Sequence, residues 1–517
     1  MAIAISTTQA AGTFGQRARE LVLVRAPLLI VMTLQAVVSL ITLHNTAFQD
    51  EALYLFAGRQ IVNSWLGGPP VSEPYVQYFS GYPFLYPALG GALDKLGGIE
   101  AARFFSLLCM LGVTVCVYVI TKRLFQETSA LFAAAIFAFQ GSVLFIGRLA
   151  TYDALCLLLL AIAATLAVTV NRDSLIRSLV KVVWIGPLLV LSVGVKYAGL
   201  LFVPSVIAIL FLQTGHERRW RDAWLAVGVL LLSLIATCAV ALHFLNSQAL
   251  IGLSFTTTNR VAFLKTPALA LALEVVTLGG IALGLGFIGF LLVRKERFWF
   301  TSLLVVSALL APAYHIYKGE QISLNKHIAF AVFFIAPLAG VAITRVANSI
   351  QQGMRSQIWP IGLALCLIIF SFGLQQSQNQ YSVWANSSQM IAVMRTQVRP
   401  VTGHYLAEEY DVSRYYLKDV TSPWQWTGLD WFQYTNKAHQ QLTGIPAYQA
   451  AIAEGYFDVV ELNYGFNVSL DLAIDGGLKG GKLYHLVAQI PYTNSYGPGY
   501  YWIWAKNVPI NAASSQP

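Results

Sequence analysis

The feature that most constrains this chain is a series of apolar runs, each long enough to cross a bilayer, repeated from residue 21 to residue 375. A hydrocarbon core of about 30 Å takes roughly 20 apolar residues in a helix. In lipid a helix also satisfies its own backbone polar groups, which irregular chain does not. Runs at 21–43, 101–121, 129–147, 151–170, 182–195, 198–213, 223–245, 269–293, 298–314, 327–344 and 358–375 make about eleven candidate spans. The fold class they predict is a polytopic α-helical membrane protein.

Composition agrees. The chain is 56% hydrophobic and 11% charged, against about 25% charged in soluble domains. Its net charge of +9 comes from Lys and Arg scattered in short clusters between the apolar runs. A nucleic-acid partner would want them on one soluble face, so that class is excluded. All of the cysteines, Cys109, Cys116, Cys156, Cys238 and Cys366, fall inside apolar runs, which leaves no disulfide framework and no CxxC metal motif. The first run has no small-residue cleavage site behind it and reads as a retained span, not a signal peptide.

Loop charges orient the spans. With a cytoplasmic tail over 1–20, the clusters Lys122/Arg123, Arg172/Arg177/Lys181, Arg218/Arg219/Arg221, Arg294/Lys295/Arg297 and Arg345/Arg355 all fall in cytoplasmic loops, as the positive-inside bias requires. An odd span count then puts the C-terminal region outside. The expected organisation is a tail (1–20), a transmembrane domain (21–375) with a long outer loop (44–100), and an extracytoplasmic α/β domain (376–517). The expected location is the plasma (inner) membrane of a bacterium.

In the outer loop, Tyr54, Gly58, Ile61/Val62 and Trp65 recur at helical spacing, which predicts an interfacial helix over 50–66. Ser80-Gly81-Tyr82-Pro83 and Tyr86-Pro87 then break the chain before a second short amphipathic piece. In the C-terminal region, strands are predicted at 404–408 and 457–461, helices at 412–417 and 448–453, and a hairpin pairing 484–490 with 500–505. Alternation of this kind indicates an α/β domain.

Chemistry-bearing residues gather at the outer ends of the spans. Asp50 suits a helix N-cap and Glu51 the positive end of the dipole; equally, a carboxylate at the water–membrane boundary suits a general base. Successive helical side chains diverge by about 100°, so the two acids would not share one role. Asp153 opens the fourth run, where it would cap the helix, pair with Arg148 or serve the site. Lys196, between two runs, would snorkel at a turn or hold a phosphate as a point charge. Arg260 and Lys265, with His315, Lys318, Lys326 and His327, add cations and donors on the same side. Such a distribution favours interfacial chemistry on an amphiphilic substrate. The aromatic segment with Trp424, Trp426, Asp430, Trp431, Phe432 and Tyr434 reads as domain core or interface belt, or as a sugar-stacking surface. Two carboxylates, Asp50 and Asp153, leave a divalent metal ion open as a cofactor, without a His-rich ligand set.

Four stretches in series carry a resemblance. They are Asp50-Glu51-Ala52-Leu53-Tyr54, Ala101-Ala102-Arg103-Phe104-Phe105-Ser106, Arg148-Leu149-Ala150-Thr151-Tyr152-Asp153 and Gly194-Val195-Lys196-Tyr197-Ala198-Gly199. In order and spacing, residues 20–345 resemble the GT-C class of integral-membrane glycosyltransferases. The branch is the one with protein O-mannosyltransferases, the lipid A aminoarabinose transferases and Rgt-type lipopolysaccharide transferases. The resemblance implies a polyprenyl-phosphate-linked sugar donor and a glycan, lipid or protein acceptor, joined with inversion on the outer face. By position it makes Asp50 the base, with Glu51 secondary, and Asp153 an orienting group. Lys196, Arg148, Arg260, Lys326 and His327 become candidates for the donor phosphate, and Tyr54 and Tyr82 for the substrate lining. The aminoarabinose transferases carry a Lys-Pro pair in the first loop; here that stretch reads Ser80-Gly81-Tyr82-Pro83, without the cation. Two readings from other classes stand beside it, a transporter or flippase for a lipid-linked sugar and a non-catalytic glycan-binding scaffold.

Overall fold

The computed structural model describes residues 14–170, 174–245, 247–259, 265–350, 358–429, 431–465 and 467–507. Arg172, Arg260, Arg355 and Asp430 lie outside them. The helical part comprises α1 (Phe14–Thr42), α2 (Gln49–Trp65), α3 (Tyr86–Leu124), α4 (Glu127–Ala138), α5 (Gly141–Ile146) and α6 (Asp153–Val168). It continues with α7 (Leu175–Val195), α8 (Val203–Glu217), α9 (Trp220–Phe244), α10 (Ser247–Thr257), α11 (Ala268–Lys318), α12 (Leu324–Ile350) and α13 (Ile358–Tyr381). Among the described residues seven helices are long and apolar enough to cross a membrane, and the shorter apolar helices Ala26–Thr42, Glu127–Ala138 and Asp153–Val168 accompany them. The chain is an integral membrane protein.

Three apolar runs are organised differently from their expected form. Runs 269–293 and 298–314 belong to one element, α11, interrupted at Arg297, whose φ of −147° leaves the helical region. Run 129–147 is broken into α4 and α5 around Phe139 and Gln140. There the Gln140 amide donates to the Leu278 carbonyl, and α13 packs so closely that a Cβ on Gly373 would stand 1.8 Å from the Phe139 carbonyl oxygen. The amphipathic piece after Tyr86 runs into the next span as α3, interrupted at Gly97 and Gly98. Gly98 has φ +67°, a left-handed conformation that glycine adopts without steric cost.

Helix α12 is apolar on every side and sits at the centre, with Ile328, Phe330, Val332, Phe334 and Leu338 fully buried. It packs chiefly against α11 and α4. Its first residues are thereby carried to the end of the bundle where α2 lies.

Beyond α13 the chain forms α14 (Ser388–Gln397), β1 (Tyr405–Ala407), α15 (Tyr410–Tyr416), β2 (Trp426–Thr427), β3 (Gln433–Thr435), β4 (Gln441–Thr443) and α16 (Ile445–Ala453). Then follow β5 (Val459–Leu462), α17 (Val468–Gly480), β6 (Tyr484–Asn494) and β7 (Gly497–Lys506). One sheet has the order β2-β1-β5-β7-β6, parallel at β2-β1-β5 and antiparallel at β5-β7-β6. Successive strand residues face opposite sides. Tyr405, Ala407 and Val459 accordingly pack on Met390 and Met394 of α14, while Leu406, Val460 and Leu462 pack on Tyr448, Ile452 and Ile474 of α16 and α17. The C-terminal region is an α/β layer structure.

It docks on the segment between α1 and α3 through α15. Val412 and Tyr415 join Ala52, Leu55, Phe56 and Ala102 in one apolar cluster. Arg414 pairs with Glu73 and with Asp411, its guanidinium 4.9 Å above the Phe56 ring. The Tyr415 hydroxyl donates to Asp94 at 2.6 Å, and the Ala47 N–H donates to the Tyr416 oxygen at 2.8 Å.

Candidate active site

Helix α2 begins at Gln49 with Phe48 as its N-cap, so Asp50 and Glu51 are its second and third residues. The capping bond comes from Glu51, so of the two readings of Asp50 the helix cap does not hold. The Glu51 carboxylate accepts the Phe48 N–H at 2.9 Å, the Ala150 N–H at 2.7 Å and two bonds from Arg103 at 2.9 and 2.7 Å. Fully buried, it ties α2 to α3 and to the loop before α6. It does not line the cavity described below.

Asp50, one residue earlier, points the other way. Its side chain is 35% exposed, and Oδ2 accepts a bond from Lys326 Nζ at 2.5 Å. Lys326 is itself nearly buried, its ammonium 5.3 Å from the Phe48 ring centre.

Asp153 opens α6 and is fully buried. It accepts from the Thr151 hydroxyl at 3.1 Å and pairs with Lys196, not with Arg148. Arg148 instead pairs with Glu100. Lys196 follows the last residue of α7, and its ammonium lies 5.1 Å from the Tyr152 ring centre. Tyr152 in turn accepts a 2.7 Å bond from the Tyr54 hydroxyl.

The backbone around Lys196 is held by the loop that lacks the Lys-Pro pair. Tyr82 N–H donates to the Gly194 carbonyl at 2.7 Å, and Tyr197 N–H donates to the Ser80 carbonyl at 2.9 Å. Between these bonds a Cβ on Gly81 would stand 2.1 Å from the Val195 carbonyl oxygen, so only glycine permits the approach. The Tyr82 hydroxyl points away, to the Phe244 carbonyl at 3.1 Å.

These elements surround a cavity of about 780 Å³ that carries Asp50, Tyr54, Tyr152, Lys196, Lys318 and His327 on its walls. Leu200, Phe255 and Ile322 also line it, each about half exposed at the apolar surface of the bundle. The space thus meets charged groups at one part and apolar groups at another. Glu51, Arg148, Tyr82 and Asp153 are outside its lining, Asp153 being reached only through Lys196. Arg260 lies outside the described residues. Asp50 and Asp153 each already have a lysine partner, and among the described residues no group of three His, Cys, Asp or Glu side chains is set to hold a metal. The donor set does not fit a divalent ion. In the aromatic segment Trp424 and Trp431 are exposed and Trp426 is buried, and none of the three lines the cavity.

Over nearly the whole chain this arrangement matches a known architecture. ArnT from Cupriavidus metallidurans superposes with a TM-score of 0.64 at 13% identity, covering 97% of this chain and 100% of that one. The fold is that of the GT-C membrane glycosyltransferases. ArnT bound to undecaprenyl phosphate gives the same TM-score and identity over 98% of this chain and 100% of that one. The oligosaccharyltransferase AglB from Archaeoglobus fulgidus, in complex with an inhibitory peptide and a dolichol-phosphate, matches with a TM-score of 0.55 at 14% identity. That match covers 94% of this chain and 75% of AglB. Residues 84–243 match a family model described as dolichyl-phosphate-mannose-protein mannosyltransferase. No curated protein matches the chain in sequence.

Two features of this site have no local signal in the sequence. Lys326 was a phosphate candidate, and its pairing with Asp50 across 276 residues has no local signal. Arg103 is a lone arginine near the start of an apolar run, the one hint the sequence offers for it, and its partner is Glu51.

Proposed function

We propose that the chain transfers a sugar from a polyprenyl-phosphate-linked donor to a hydroxyl-type acceptor on the face that bears α2 and the C-terminal region, taken as the extracytoplasmic face of a bacterial plasma membrane. One observation carries this reading. A single cavity brings together the Asp50 carboxylate beside a lysine, a separate set of cations, and an apolar flank reaching the bundle surface. An amphiphilic phosphodiester is the substrate class that such a cavity suits. The fold shared with ArnT, solved with undecaprenyl phosphate, supports the same choice.

Asp50 serves as general base. It takes the proton of the acceptor hydroxyl while that oxygen attacks the anomeric carbon, and the bond from that carbon to the phosphate oxygen breaks with its electron pair on the phosphate. The other carboxylate on the cavity wall, Glu320, is engaged by the Ile322 N–H. A single base suits one displacement, hence inversion. Lys326 orients Asp50 and balances its charge. Lys196 and Lys318 balance the charge that grows on the leaving polyprenyl phosphate. Asp153 positions Lys196, and Glu51 positions α2. The acceptor is a glycan, a lipid or a protein.

The test is release of polyprenyl phosphate from synthetic donors by the purified chain. Asp50→Asn should bind donor as the wild type does and lose about 10²–10⁴-fold in turnover, the usual worth of a positioned base. Wild-type-like turnover by Asp50→Asn overturns the role. Movement of labelled donor across liposomes without cleavage would replace the reading by a flippase.

A further inference from the structure

The displacement above makes no use of a pair of histidines on the cavity wall, His315 and His327. His315 lies in the last turn of α11 and His327 in the first turn of α12. His315 Nε2 and His327 Nδ1 are 2.7 Å apart, and His315 Nδ1 is 2.6 Å from the Glu320 carbonyl oxygen. The connecting turn is tightly wound. Gly319 and Ser323 both have positive φ, +66° and +68°, and the Ile322 N–H donates to Glu320 Oε1 at 3.0 Å.

Hydrogen-bond logic then decides where the protons sit. A carbonyl oxygen only accepts, so His315 Nδ1 carries a hydrogen. In the uncharged pair His315 Nε2 is therefore the acceptor, and His327 Nδ1–H donates to it. The remaining nitrogen, His327 Nε2, then carries no hydrogen and accepts. Add one proton, on either ring, and Nε2 becomes a donor. The pair thus converts one added proton into a change of sign at a single atom of a cavity-lining residue. Among the described residues, the charged and titratable groups around it are Lys318, Glu320 and Tyr314 from α11 and its turn, Lys326 on α12, Lys196, Tyr152 and Tyr197 across the cavity, Tyr78 before α3, and Asp50 and Tyr54 on α2.

We infer that His327 Nε2, oriented by His315 and the Glu320 carbonyl, is the proton donor to the donor lipid's phosphate. This rests on the phosphate-linked donor proposed above. The phosphodiester binds the singly protonated pair. As the anomeric C–O bond breaks, its electron pair leaves a second negative charge on the phosphate, and the Nε2 proton passes to a phosphate oxygen. The step ends with a monoanionic polyprenyl phosphate, a protonated Asp50 and an uncharged histidine pair. Solvent then removes the Asp50 proton and returns one to the pair. His315 is a positioning residue and His327 the residue that touches substrate.

The experiment is calorimetric titration of a prenyl methyl phosphodiester into the full-length chain in detergent, at about pH 7, in two buffers of different ionisation enthalpy. A diester lacks the second ionisation that a phosphate monoester shows near about pH 6, so protons exchanged belong to the protein. Wild type should take up close to one proton per probe bound, by linkage. His327→Gln keeps a permanent N–H donor and should bind with no proton uptake, at pH-independent affinity, while turnover falls at least tenfold. His315→Phe removes the acceptor that fixes the tautomer and should shift the pH profile of turnover with KM little changed. Wild-type binding without proton uptake overturns this inference and leaves the phosphate-donor reading intact. Failure of the wild type to bind the probe at any pH overturns both.

Discussion

Lys196 is 4% exposed, and its ammonium is tolerated there because Asp153, fully buried, stands against it. Breaking such a pair by removing one partner costs about 3–5 kcal/mol, because the other charge is left uncompensated. Asp153→Asn should therefore lower the thermal midpoint sharply. The double variant Asp153→Asn with Lys196→Met should recover most of that stability and still fail to turn over. Melting and transfer measured on the same samples check this, and transfer restored along with stability would remove Lys196 from the site. Asp50, Lys196 and His327 line one cavity, and the sequence singled them out because ionisable residues at the ends of apolar runs are costly and need a reason. The division of labour between Asp50 and Glu51 was legible only as a divergence of about 100° along a helix. Which acid faces the cavity depended on where α2 starts, and the Arg103 and Ala150 groups that claim Glu51 come from elsewhere in the chain.

Among the elements, the strip from Ser80 to Tyr82 does for Lys196 what no side chain does. It fixes the backbone on both sides of that residue. Gly81→Ala puts a Cβ within 2.1 Å of a carbonyl oxygen, and backbone cannot yield as a flexible side chain can. The strip should separate from the Lys196 segment, with donor binding weakened about tenfold, a change of roughly 1.4 kcal/mol. Gly228→Ala in α9, where an added Cβ meets nothing within 4 Å, is the control and should leave binding unchanged. Equal behaviour of the two variants would show that the close approach does not matter. Apolar runs located the long helices well, since hydropathy reports burial in lipid directly. They misjudged continuity. At Arg297 helix resumes after one non-helical residue, and at Gln140 the break is stabilised by α11 and α13, more than 100 residues away. No local window contains that information.

For the whole molecule, the C-terminal region is joined to the membrane part at α15, just after the ends of the parallel strands. Its strands and helices were readable from alternation, but its docking was not, because Arg414, Glu73, Tyr415 and Asp94 pair across more than 300 residues. Beside that joint lies a group of acids. Burial, then Glu408, then Asp411 push the Glu409 carboxyl up to about 7. Burial, then Glu408 and Glu409, raise fully buried Glu461 well above the usual carboxylate range. Burial and then Glu408 raise Asp471 likewise. A carboxyl whose folded value exceeds its unfolded value of about 4.3 binds more protons when folded, so stability falls as pH rises between the two values. For Glu409 that window runs from about pH 4.3 to about 7. The C-terminal region should therefore be held more firmly at about pH 5 than at about pH 8. The difference should be on the order of 1–3 kcal/mol, since each tenfold change in proton affinity is worth roughly 1.4 kcal/mol. Glu461→Gln keeps an oxygen for the Glu409 N–H and removes one ionisation. It should raise stability at pH 8, change it little at pH 5, and flatten the slope between. Hydrogen exchange of β1, β5 and α15 at the two pH values reads this out. Protection that rises with pH in the wild type, or a slope untouched by Glu461→Gln, would mean that the charge of this cluster is balanced by something other than protons.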